Sequence, residues 1–84
     1  MNTPHTNESI NFFRHIYFIA NDTGYGITRI EDQAGMSPGY CALGLKRNSS
    51  PTIRSAKKFS DVVGYTIDEL MLPPKEFIKV YKND

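Results

Sequence analysis

The sequence predicts an all-α fold, and two kinds of signal carry that expectation. Apolar residues recur at three- and four-residue spacings along most of the chain, the period of helices with one buried face. Between those runs lie helix-start and helix-stop residues: Ser37-Pro38, Pro51-Thr52, Thr66 with Glu69, and glycines at 24, 35 and 64. The 84 residues make one small domain. A chain this short buries about 60% of its unfolded surface, so its stability is expected to be modest and helped by oligomerisation. The composition, 39% hydrophobic and 23% charged, is that of a globular chain rather than a disordered one. There are no internal repeats, low-complexity tracts or linkers.

The elements follow in order. Residues 1–7 are expected to form a flexible N-terminus. The first helix spans about 8–21, with Ile10, Phe13, Ile16, Tyr17 and Ala20 on one stripe, broadened by Phe12 and Ile19. Asn21-Asp22-Thr23-Gly24 ends it with turn chemistry. A second helix runs about 27–34, with Ile27, Ile30 and Ala34 inward and Arg29, Glu31 and Asp32 outward; Gly35 suits its C′ position and Met36 points inward. Ser37 reads as an N-cap with Pro38 at the first helical position, where a missing N–H costs nothing. The third helix is therefore expected over about 38–46, with Cys41 and Leu45 inward and Gly44 allowing another helix to approach closely.

After the loop Asn48-Ser49-Ser50-Pro51, Thr52 caps a fourth helix over about 53–63. Its apolar face is Ile53, Ala56, Phe59, Val62 and Val63, and Gly64 closes it. Thr66 and Glu69 form a capping box, with Tyr65 and Leu70 at the hydrophobic-staple positions, so a fifth helix covers about 67–72. Residues 73–84 form a C-terminal tail. Its core, KEFIKVYK, is open to two readings, a helix with Phe77, Val80 and Tyr81 on one face or a strand rich in aromatic and β-branched residues. The tail is expected either to pack back on the first helix or to form a homodimer contact.

Charge is distributed unevenly. The net charge is +1, yet residues 37–60 hold Lys46, Arg47, Arg54, Lys57 and Lys58 with no acid, while the segments on either side are each net negative. A local cationic block lets a near-neutral domain present one anion-seeking face. Several chemistries are excluded. Gly24-Tyr25-Gly26 is too short for a phosphate loop, and Cys41 turns into the core rather than toward a base. Neighbouring carboxylates such as Glu31-Asp32 diverge on a helix. His15 reads as a partly buried structural residue, and His5 and His15 lack further ligands at metal-site spacing. No enzyme, metal or cofactor is expected. No apolar run approaches the roughly 20 residues of a membrane span, and MNTPHTNESI lacks the pattern of a signal peptide, so a cytoplasmic location is expected.

Two short helices joined by a tight turn, followed by a capped helix ending in cations, describe a helix-turn-helix. From Gly26 to Leu70 the chain resembles the lambda repressor/Cro-type helix-turn-helix domain, also called the xenobiotic-response-element regulator family. Ile30, Ala34-Gly35, Ser37, Pro51 and the run Gly64-Tyr65-Thr66-Ile67-Asp68-Glu69-Leu70 fall in the family's register without a gap. The resemblance implies a five-helix lambda repressor-like domain over 8–72, acting on double-stranded DNA as a prophage- or mobile-element-type repressor and as a dimer. It places the third helix in the major groove with Pro38, Gly39, Ala42 and Leu43 toward base edges. Ser37, Tyr40, Lys46, Asn48, Ser49 and Arg54, with Thr28 at the start of the second helix, would face phosphates.

The charges agree, because Lys46, Arg47 and Arg54 can neutralise phosphates. The starts of the second, third and fourth helices are also expected to offer N–H groups to phosphate. Arg54 at a helix start opposes the macrodipole, a conflict that a nearby phosphate relieves. The chain departs from the family at the reading positions, which usually carry polar side chains suited to base edges. An alternative follows from that departure: the fold used as a protein-interaction module, with the Pro38-Gly39-Tyr40 and Ala42-Leu43 face bound to a partner protein.

Overall fold

The length and spacing of the apolar stripe make the first helix the spine of the molecule. A computed structural model of the chain describes residues 5–47 and 49–82. Helix α1 (His5–Thr23) is followed by α2 (Ile27–Gln33), α3 (Tyr40–Arg47), α4 (Ile53–Val63), α5 (Ile67–Leu70) and α6 (Pro74–Lys82). All regular structure among the described residues is helical, and α1 touches each of the other five helices. Phe12, Phe13, Ile16, Ile19 and Ala20 of α1 are buried against Ile30, Ala34, Cys41, Ala56, Phe59, Leu70 and Phe77. The radius of gyration, 11.9 Å, is that of a chain of this length folded around a single core, about 12 Å.

Local end signals account for most boundaries. The Thr52 hydroxyl accepts the Ser55 N–H at 3.1 Å to start α4, and Gly64 closes it. At α5 the Thr66 hydroxyl accepts from Glu69 N–H while the Glu69 carboxylate accepts from Thr66 N–H, a complete capping box. Helix α5 is a single turn, shorter than the expected 67–72, because Met71 already sits at its cap.

Four expectations are corrected. Helix α1 extends beyond 8–21 at both ends: residues 5–7 of the expected flexible N-terminus are helical, and residues 1–4 lie outside the described residues. Its far end reaches Thr23, whose hydroxyl bonds back to the Ile19 carbonyl at 2.7 Å. Ile53 is 83% exposed, so the apolar face of α4 begins only at Ala56. Glu31 is buried, and α3 starts at Tyr40 rather than Pro38.

The tail is a helix. Pro74 occupies the first position of α6 and the Pro73 carbonyl accepts the Phe77 N–H at 2.9 Å. Of the two expected roles, the structure has the tail packed back on α1. Phe77 is fully buried and its ring stacks on His15, centroids 4.1 Å apart and planes 12° from parallel. His15 Nε2 donates to the Leu72 carbonyl at 2.7 Å, and the Tyr81 hydroxyl donates to Asp22 at 2.6 Å.

Helices α1 and α3 meet at Gly44. A Cβ there would lie 2.5 Å from Cζ of Phe13. The Phe13 ring is buried and packed edge-on by Phe12 and Tyr40, which resists its displacement. Helix propensity alone favours Gly44→Ala by about 1 kcal/mol. Overpacking at this distance costs about 1–3 kcal/mol and dominates. The expected outcome is a lower urea midpoint with an unchanged slope.

Acid sensitivity follows from His15. Burial lowers its pKa from the ordinary 6.5, against the opposing pull of its bond to Leu72. The unfolded chain therefore takes up a proton that the folded chain refuses as pH drops below 6.5. Stability is full above that value and declines as pH falls toward the lower folded pKa. Urea titrations between pH 7.5 and 5 should show that decline, and His15→Gln should flatten it.

Candidate nucleic-acid interface

The connection from α2 to α3 is built from backbone geometry that only certain residues accept. At the end of α2 the Met36 N–H bonds to the Glu31 carbonyl at 2.8 Å and the Gly35 N–H to the Asp32 carbonyl at 3.0 Å. With Gly35 at φ 75° this is a Schellman motif, and it satisfies two of the orphan carbonyls. Ser37 to Tyr40 then form a tight turn: the Tyr40 N–H bonds to the Ser37 carbonyl at 3.1 Å, with Gly39 at φ 87°. Proline in the second place and a positive-φ glycine in the third define a type II turn.

Pro38 and Gly39 are therefore turn residues rather than the first turn of the helix, and Ser37 is not the N-cap. Gly39 takes that place, its carbonyl accepting the first helical bond from Leu43 N–H at 2.9 Å.

The side chain that caps α3 comes from another helix. Glu31 is 1% exposed, and its two oxygens accept the N–H groups of Gly39 and Cys41, each at 3.0 Å. Three successive amides at the helix start are thereby paired, two with Glu31 and one with Ser37. A carboxylate at a helix N-terminus also meets the positive end of the macrodipole, and charge-assisted bonds of this kind exceed neutral ones in strength. The same carboxylate, with burial as the larger cause, pushes the Cys41 thiol far above its usual range. Cys41 is an inert core residue. These three amides of the α3 start are thus not available to phosphate, contrary to the sequence expectation for them. Helix α2, which follows Gly26, has no side-chain cap.

With one side of α3 fixed to α1 and Glu31, its other side is exposed. Ala42, Leu43, Lys46 and Arg47 are all exposed and, at helical spacing, share one face. The two cations at its end suit the negative end of the macrodipole. Leu43 and Arg47 border a shallow depression with Ser49 and Ser50, and Ser50 is tied to α1 by the Ser9 hydroxyl at 2.8 Å. Arg54, Lys57, Lys58 and Asp61 are exposed at helical spacing along α4. Lys58 and Asp61 border the α2–α3 connection beside Gln33 and Gly35.

The remaining expected site residues fall as follows. Thr28, Ser37, Pro38, Ser49 and Arg54 are exposed, and Gly39 is half-buried. Tyr40 is half-buried, its ring stacked 5.8 Å from Phe59 and edge-on to Phe13. Asn48 lies outside the described residues. Sequence reasoning missed Glu31, whose position beside Asp32 marks it as outward. The one available signal was a third helix without an acidic residue in its first turn. Among the described residues no group of three or more His, Cys, Asp or Glu side chains is placed to hold a metal. None of the described helices is long and apolar enough to cross a membrane.

Glu31→Gln tests the cap. Glutamine keeps one acceptor oxygen, so one of the Gly39 and Cys41 amides loses its partner in a buried site. The expected cost is about 1–3 kcal/mol in urea denaturation, with loss of hydrogen-exchange protection confined first to the start of α3. Comparison with protein-family models, with curated proteins and with solved structures finds no match to this chain.

Proposed function

We propose that this chain is a sequence-specific DNA-binding transcriptional regulator of the lambda repressor/Cro type. In this reading α2 and α3 are the two helices of a helix-turn-helix, and α3 lies in the major groove of a two-fold-related site bound by a dimer. The prophage- or mobile-element-type repressor role and the cytoplasmic location belong to the same proposal. The observation that carries it is the exposed edge of α3. Ala42, Leu43, Lys46 and Arg47 stay open to solvent while the opposite side is fixed by Glu31 and α1. The exposed cations of α4, beginning at Arg54, supply a second row of phosphate contacts.

One observation favours a second reading, a protein-interaction module of the same fold. Leu43 is 48% exposed and Ile53 83% exposed, and exposed aliphatic side chains of this kind also suit a protein partner. Salt separates the two. Phosphate neutralisation gives a log K against log salt slope of about −0.9 per contact, so Lys46, Arg47, Arg54 and Lys57 together imply a slope between about −3 and −4. Reversing Arg47 and Arg54 to Glu should abolish measurable duplex binding while leaving the circular dichroism spectrum unchanged. Persistent binding with the original slope would place the interface elsewhere, and salt-independent behaviour would favour the protein partner.

A further inference from the structure

The face of α3 that the preceding proposal turns toward DNA is aliphatic near its start, at Ala42 and Leu43. We propose that this face reads the 5-methyl groups of pyrimidines in the major groove, selecting its site by apolar contact rather than by hydrogen bonds to base edges. The inference rests on the DNA-binding reading above and adds the chemical feature that is read.

Three observations lead to it. First, three of the backbone amides at the start of α3 are already engaged. The amides of Gly39 and Cys41 are held by Glu31 and that of Tyr40 by Ser37, while Pro38 has no N–H. The Tyr40 ring is stacked on Phe59. Second, what remains exposed there is Ala42 and Leu43, with Ile53 beyond the α3–α4 loop as the most exposed large apolar residue described. Third, exposed cations follow these aliphatic residues in sequence, Lys46 and Arg47 after Ala42 and Leu43 at the end of α3, and Arg54 after Ile53 at the start of α4. Their charge matches the phosphates that border a groove.

Among the groups that base pairs present in the major groove, the apolar one is the thymine methyl, which contacts side chains such as Ala. 5-Methylcytosine carries the same group at the same ring position. Exposed aliphatic residues followed by cations therefore fit a methyl-bearing groove better than one lined only by donors and acceptors. Burying one methyl-sized group is worth about fourfold in affinity.

The test uses the full chain and a duplex enriched from a random pool. That duplex is then made with thymine, with uracil at every thymine position, and with 5-methylcytosine at every cytosine. Uracil removes the methyl and keeps every hydrogen-bonding group. Binding weakened about fourfold per contacted methyl, at an unchanged salt slope, assigns thymine as the source. Tighter binding to the 5-methylcytosine duplex without a thymine–uracil difference assigns methylated cytosine. In either case Leu43→Ala, at an exposed position, should shrink the difference. Equal affinity for all three duplexes overturns methyl readout and leaves the DNA-binding reading standing. Failure to enrich any duplex overturns both.

Discussion

The buried carboxylate of Glu31 decides where the third helix begins. By accepting the amides of Gly39 and Cys41 it holds the end of α2 to the start of α3 across a connection that otherwise consists of turns. A buried charge is costly unless it is fully paired, and here each oxygen has a backbone donor and the macrodipole supplies further compensation. The alternative start, with Ser37 as cap and Pro38 as first helical residue, would leave that carboxylate without its partners. The register of α3, and with it the choice of which residues meet solvent, depends on this one side chain.

Once the register is set, the two sides of α3 diverge. Gly44 lets the helix sit directly on the Phe13 ring, and Cys41 is lost into the core. The remaining side is short, aliphatic near its start and cationic near its end. Glu31 takes two of the amides at the start of α3, so on this helix the exposed Lys46 and Arg47 are the charges that suit a phosphate. Pro38 and Gly39 precede the helix, and Lys46 and Arg47 close it. The first pair makes a turn, and the second lies where a helix favours cations.

Much of the fold is legible in the sequence because it is written in local signals. Thr52 with Gly64, Thr66 with Glu69, and Gly35 after α2 act within a turn or two, and each stands where its spacing predicts. The tail was open between helix and strand because both fit its apolar spacing. Phe77 settles it by filling a space against His15 that no local pattern announces. The errors are of the same kind. Glu31 reads as outward because helical phase carries no information about a partner eight and ten residues ahead. Ile53 reads as inward because its spacing from Ala56 fits the stripe, while the start of α4 projects beyond the core. The Ser37–Gly39 stretch admits two local readings, and the glycine after the proline is the signal for a type II turn. Of the candidate site, the exposed cations and the Ala42–Leu43 edge were legible, whereas the packing of Tyr40 depends on tertiary neighbours.

Residue-resolved amide exchange of the wild-type protein bears on the Glu31 cap more closely than any other observation. Gly39 and Cys41 should exchange slowly, with opening free energies close to those of the α1 core. Rates for these two amides like those of an unstructured loop would show that the carboxylate does not hold them. The assigned register of α3, and the exposed edge that follows from it, would then be wrong.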